Sequence, residues 1–138
     1  MNNYIEWFKK NKITEVECLI PDNSGIPRGK ILPTKKFLSS FESGGLRLSL
    51  ALFKLAVSRS VTYSIDDQLL NPTDGDFILK PDFNTLKVVP WYEEPTAQII
   101  CDAVDQNDNE IEVYSRGILK RVIGLYSCLL YTSPSPRD

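Results

Sequence analysis

The chain has 138 residues, 42% of them hydrophobic, and a formal net charge of −2, a length that suits one domain. It contains no run of Lys or Arg and no histidine. The electrostatic footprint of a nucleic-acid binder and a polybasic membrane patch are therefore excluded. So is any Ser-His-Asp, Cys-His or His-zinc site within the chain.

Tyr4, Ile5, Trp7 and Phe8, followed by Lys9, Lys10 and Asn11, predict a short amphipathic helix with cations in its last turn. This opening has neither a signal-peptide apolar core nor a transit-peptide bias, and no stretch approaches the ~18 apolar residues of a bilayer span. The cytoplasm is the expected compartment. Residues 15–21 are rich in strand formers, Asp22-Asn-Ser-Gly25 supplies turn chemistry, and Ile26 to Leu32 would return as the second strand of a hairpin. Pro33-Thr34 opens a helix over 35–41, which Gly44-Gly45 ends. Residues 46–57 are apolar and fit either a strand or a buried helix; Gly45 and the Ser/Arg/Thr cluster bound them tightly, which favours a strand.

Residues 66–76 form a loop with Asn-Pro and Asp-Gly punctuation. Residues 77–79 and 86–89 read as short strands on either side of Pro81-Asp82, and Thr96 to Val104 is the clearest strand of all. Gln106-Asn-Asp-Asn109 turns into residues 110–114. Ser115 then caps a helix over 116–126, with Ile118, Leu119, Val122, Ile123 and Tyr126 on one stripe. Helices at both ends with hairpin-connected strands between them predict an α+β domain. Cys18 and Cys101 lie in apolar runs, where a lone Cys is usually a small buried hydrophobe.

Residues 128–138, from Cys128 to Asp138, back-translate to a sequence that resembles the adaptor of a transposase-based sequencing library read in frame. The expectation is that these residues are a disordered artefact of a fragment boundary, and such segments are set aside before fold reasoning.

Three groups of residues invite a chemical reading. Gly25-Ile-Pro-Arg-Gly-Lys30 suggests a phosphate loop, but that motif needs four residues between its glycines and Ser or Thr after Lys. Here there are three, and Ile31 follows, so a hairpin turn fits better. Asp102, Asp105, Asp108, Glu110 and Glu112 suggest a cation site. Counted from Asp105, however, an EF-hand's sixth and twelfth positions hold Glu110 and Arg116 instead of Gly and Glu, and a solvated hairpin tip is the better reading. Asp74, Asp76 and Asp82 could gather around a metal or a substrate amine, although turns favour the same residues. Pro90-Trp91, with Pro95, reads as a rigid bend at a strand end.

Taken together, four segments resemble the N-terminal domain of the glutamine synthetase superfamily, nearest its γ-glutamylputrescine synthetase-like branch. They are residues 15–25 with Pro27-Arg-Gly-Lys30 and Pro33; residues 75–82 continuing to Val89-Pro-Trp91; residues 96–102; and Ser115-Arg116 leading into Leu119-Lys-Arg-Val122. The resemblance implies a β-grasp-like mixed sheet with flanking helices over residues 1–114. Residues 115–127 would then begin a helix linking to a catalytic domain that the chain does not contain.

It further implies an ATP-dependent carboxylate–amine ligase. Glutamate and ammonia or an amine would be its substrates, Mg2+ or Mn2+ its metal, and neighbouring subunits of a ring-shaped homo-oligomer its partners. The metal ligands would lie beyond this chain, so the fragment itself would bind no cofactor and catalyse nothing. With its partner surface uncovered, it would be weakly stable and prone to associate. The family places an aspartate for the amine in the strand after the Gly-Gly region; here that position falls at Ala56, which cannot take a proton. Lys54, Ser58, Arg59, Asp76 and Asp82 are the substrate or interface candidates. Diverged amine specificity and loss of activity both explain Ala56. The rival readings are a non-catalytic regulatory or interaction subunit and a free-standing β-grasp binding module.

Overall fold

The computed structural model describes residues 2–40, 43–54 and 75–129. Helix α1 (Asn2–Lys10) ends at Lys12, whose φ of 53° turns the chain into strand β1 (Glu15–Pro21). A hairpin returns as β2 (Pro27–Pro33), and α2 (Thr34–Ser40) follows at once. Gly44 and Gly45, both at φ 85°, then reverse the chain, with the Gly45 amide donating to the Ser40 carbonyl at 2.8 Å. This left-handed stop favours glycine, and it delivers the helix end that the Gly-Gly pair predicts.

The apolar stretch after Gly45 departs from the expected long strand. Only β3 (Leu46–Ser49) is extended, and Leu50–Lys54 winds into a 3₁₀ turn. The cause is local. The antiparallel pairing with β4 (Asp76–Pro81) ends at Ser49 opposite Asp76, with one further backbone bond from the Leu50 amide to the Gly75 carbonyl at 3.3 Å. The Ser49 hydroxyl then accepts the Ala51 amide at 3.3 Å and bends the chain. Residues 55–57 and most of the expected 66–76 loop lie outside the described residues.

The Asp82 carboxylate accepts the Asn84 amide to cap a second 3₁₀ turn, Phe83–Thr85. This turn shortens the next expected strand to β5 (Lys87–Val88). Strand β6 (Thr96–Val104) has the predicted bounds. It ends in the Asx-turned tip at Asp105–Asn109 and a single bridge from Val104 to Glu110. The final helix α3 spans Ser115–Leu129. It continues two residues past the expected boundary at 127, because no Gly or Pro stands there to stop it; residues 130–138 lie outside the described residues.

The strands form one mixed sheet in the order β2-β1-β6-β4-β3, with β5 continuing the β4 side of β6. Only β1 and β6 run parallel. The sheet curls until its edges approach: Lys30 Nζ of β2 donates to the Arg47 carbonyl of β3 at 2.9 Å. One face alternates Val16, Cys18 and Ile20 with Ala97, Ile99 and Cys101, all fully buried. Phe8 of α1 and Phe37 of α2 close that core, with ring centroids 5.8 Å apart. Phe53 joins Phe77 and Tyr114 in an aromatic group at its other end. This is the expected α+β, β-grasp-like architecture, and Cys18 and Cys101 are free buried thiols within it, as their apolar surroundings predict. Among the described residues no helix is long and apolar enough to cross a membrane.

Candidate functional site

The two predicted carboxylates within the described residues, Asp76 and Asp82, do not share a site. Ala56, Ser58 and Arg59 lie outside the described residues, and Lys54 closes the first 3₁₀ turn. Asp76 is exposed at the start of β4, and Asp82 follows that strand's far end. Six residues of extended chain hold the two carboxylates roughly 20 Å apart, too far to share a ligand.

Asp82 instead belongs to a four-residue ionic clasp. Arg116, in the first turn of α3, donates through Nη2 to Asp82 Oδ2 at 2.7 Å and through Nη1 to Asp102 Oδ1 on β6. Lys120, one turn later, donates to Asp102 Oδ2 at 2.6 Å and to Asp82 Oδ2 at 3.2 Å. The i, i+4 spacing puts both cations on one face of the helix. The planar guanidinium bridges two carboxylates from separate elements, a geometry that lysine cannot reproduce.

Asp82, Asp102 and Arg116 keep less than a fifth of their side-chain surface in water. The Arg116 hydrogen bond, opposed by burial and assisted by Lys120 and the Asn84 amide, brings the Asp82 carboxyl down to about 2. Burial works against the charge of Arg116, but its two carboxylate partners outweigh that and hold its pKa above the ordinary value. Next to the clasp, buried Tyr114 donates its hydroxyl to the Cys101 carbonyl at 2.8 Å. Burial, with the Asp102 charge, pushes that phenol up.

A second polar centre explains the Asp22-to-Lys30 motif. Asp22, 1% exposed, accepts the amides of Ser24 and Ile26 and the Nε of Arg28, each at 2.9 Å. Burial opposes its charge; the Ile26 amide, Arg28 and the Ser24 amide outweigh that and lower its pKa. Arg28 Nη2 is buried with no hydrogen bond among the described residues. Gly29 lies against β1 so closely that a Cβ would stand 1.8 Å from the Cys18 carbonyl oxygen. Lys30 reaches across to β3. The motif is thus a hairpin, as its glycine spacing indicates, and its Lys30 also closes the sheet.

Three of the acidic residues after β6 likewise have partners within the chain. Asp105 accepts the Asn107 and Asn109 amides and the Asn109 side chain. These bonds, the Asn109 side chain foremost, lower its pKa. Asp108 pairs with Lys80 at 2.5 Å, and Glu110 lies 3.8 Å from Arg121. Among the described residues no group of three His, Cys, Asp or Glu side chains converges on a metal-sized site, so the described residues do not fit a divalent metal. An open cleft of about 400 Å³ runs between Gly44-Gly45, β4 and the hairpin tip, lined mainly by Ile78, Pro81, Phe83 and Val104. Its one lysine, Lys80, is the one held by Asp108.

Sequence reasoning missed the clasp because Asp82, Asp102, Arg116 and Lys120 come from three separate segments. The i, i+4 pairing of Arg116 with Lys120 was the available signal, but nothing local identifies their partners.

No protein-family model matches the chain. Over 118 residues, 86% of the chain, it is 27% identical to a protein named glutamate–isopropylamine ligase from Pseudomonas sp. Over 124 residues, 88% of the chain, it is 29% identical to a protein named glutamine synthetase from Methanococcus maripaludis. Its fold matches a solved glutamine synthase homolog with a TM-score of 0.70 at 19% identity, covering 85% of this chain and 27% of that one. The chain spans about a quarter of the length of these relatives, 26% of each.

Proposed function

Taking the chain as its relatives and its fold define it, an N-terminal domain of the glutamine synthetase superfamily, we propose that it serves a longer, cytoplasmic ATP-dependent carboxylate–amine ligase. In this reading the parent protein joins glutamate to ammonia or an amine, and this domain completes active sites against neighbouring subunits of a homo-oligomer. The supporting observation is the alignment along 88% of the chain with a protein named for that chemistry. The curled sheet with its flanking helices supports it at the level of fold.

The chemistry is assigned to the rest of the parent. Phosphoryl transfer to a carboxylate depends on divalent metal and positioning rather than on a protein nucleophile. ATP and Mg2+ or Mn2+ would be held by groups outside this chain; among the described residues no three His, Cys, Asp or Glu side chains form a metal-sized group. The domain's own contribution is assigned to the stretch that holds Lys54, Ala56, Ser58 and Arg59. Alanine at position 56 favours one alternative, a non-catalytic synthetase-like subunit with a regulatory or interaction role.

Two experiments test the reading. Incubated with glutamate, ATP, magnesium and ammonia or an alkylamine, the chain alone forms no γ-amide; turnover above blank refutes the assignment of the chemistry to the rest of the parent. The gene read beyond codon 127 encodes a carboxylate-rich metal-binding domain, and its full product forms the amide. An open frame without those carboxylates points to the non-catalytic subunit. A stop codon directly after codon 127 leaves only a free-standing β-grasp module.

A further inference from the structure

Five lysines from two separate segments meet at one corner of the fold. Lys9, Lys10 and Lys12 lie at the end of α1, and Lys35 and Lys36 lie in the first turn of α2. The Thr34 hydroxyl donates to the Ile13 carbonyl at 2.8 Å, the Thr34 amide donates to the Thr14 carbonyl at 2.9 Å, and Phe8 packs on Phe37. These contacts set the end of α1 beside the start of α2. All five lysines are exposed, and among the described residues none of their ammonium groups has an ion pair or a hydrogen bond. Arg28, Lys30, Lys80, Arg116 and Lys120, in contrast, each reach a partner.

Residues 2–15 and 33–40 carry these five lysines against two carboxylates, Glu6 and Glu15, which leaves +3 at the corner of a chain whose net charge is −2. Lys9 and Lys10 suit the last turn of a helix. Lys35 and Lys36 do not suit a first turn, where free amides already present positive charge and where α2 has no acidic residue. The cluster therefore works against stability where it stands, which points to an anion from outside the chain.

We propose that this corner is a docking surface for an acidic segment of another protein, an extended run of Asp and Glu. The lysines span about two helix widths, roughly 20 Å, which about six residues of extended chain cover. Flexible stems and rotatable ammonium donors suit carboxylates along a mobile segment, whereas phosphate reading favours the arginine fork, and the corner holds no arginine. Phe8 and Phe37 are buried in the core, so they offer no apolar anchor for a bilayer, and stable membrane attachment takes a second signal beside a basic patch. Asp102 alternates with the core residues Cys101 and Ala103 and so faces away from α1 and α2. Helix α3, clasped to it, stands on the other side of the sheet from this corner. The inference goes beyond the ligase reading and stands or falls without it, because it concerns a surface of this chain alone.

Fluorescence anisotropy of a labelled peptide of about ten alternating Glu and Asp residues, titrated with the 138-residue chain, tests it. Binding is expected with a Kd of about 100 μM at low salt, weakened about fivefold or more at 300 mM salt. Lys12→Glu and Lys35→Glu should each weaken binding about tenfold. Arg121→Glu, the same charge change placed on α3, should leave it within about twofold. Lys35→Glu and Lys36→Glu should also raise the thermal midpoint by about 2–4 °C, since an acid suits the first turn. No binding to the wild-type chain at low salt overturns the proposal. So does an equal loss in Arg121→Glu, which would reduce the effect to net charge, or a lowered midpoint in Lys35→Glu, which would assign the lysines to the fold. Competition completes the test: if phosphatidylserine vesicles or a single-stranded DNA displace the peptide at a lower concentration of charge than unlabelled peptide does, the acidic protein segment is the wrong partner.

Discussion

Arg116 Nη2 meets Asp82 Oδ2 at 2.7 Å across 34 residues of chain, and that contact joins the last helix to the corner that follows β4. The same guanidinium holds Asp102 on β6. One side chain thus fixes where α3 leaves the sheet.

Arg116→Ala should destabilise the domain by about 1–2 kcal/mol, between the values for exposed and buried ion pairs. Arg116→Lys should recover only part of this, since an ammonium does not fork between two carboxylates. Urea midpoints of the three proteins give the order directly. Equal loss in both variants would show that the charge matters and the fork does not.

Acid should weaken the clasp with a defined sign. The folded pKa of Asp82, about 2, lies below its ordinary value near 3.8. Its contribution is complete above the unfolded value and is lost as pH falls from about 5 toward 2. Asp22 and Asp105, both lowered, act in the same direction. Asp82→Asn should therefore cost stability at pH 6 and progressively less at pH 3; a difference that stays constant with pH contradicts the assignment.

Two glycines in one hairpin should respond very differently to alanine. At Gly29 the added Cβ meets the Cys18 backbone oxygen at 1.8 Å, and neither strand can yield without breaking the β1–β2 register. The expected cost is about 3 kcal/mol or more, or failure to fold. Gly25 has open space but φ 77°, so its replacement costs about 1 kcal/mol. Thermal melts of the two variants separate a steric demand from a conformational one.

Tyr114→Phe should cost about 1–2 kcal/mol, because it leaves the buried Cys101 carbonyl without the hydroxyl that it accepts. The aromatic packing against Phe53 stays. Chemical denaturation measures the loss; a neutral result would mean that water replaces the phenol.

Local patterns made much of the fold legible. The alternation from Val16 to Ile20 and from Ala97 to Ala103 reports strands with one buried face, and those are the strands at the centre of the sheet. Gly44-Gly45 and the Asp22 turn mark chain reversals because only particular backbone angles serve there. The stretch after Gly45 was misread as a long strand because apolar composition signals burial but says nothing of whether a partner strand continues. Past the Ser49–Asp76 pair, Phe53 reaches the core from a 3₁₀ turn instead.

The sequence by itself determined the α+β class, the central strands and the hairpin turn between the first two strands, because each depends on periodicity, turn chemistry or a glycine within a few residues. Only the tertiary structure decided the roles of Asp82 and Asp102 and the meeting of the α1 and α2 lysines. A carboxylate's role depends on which cation the fold brings within about 3 Å of it, and lysines of separate segments form one patch only where the fold packs those segments together. Neither quantity is local to the chain.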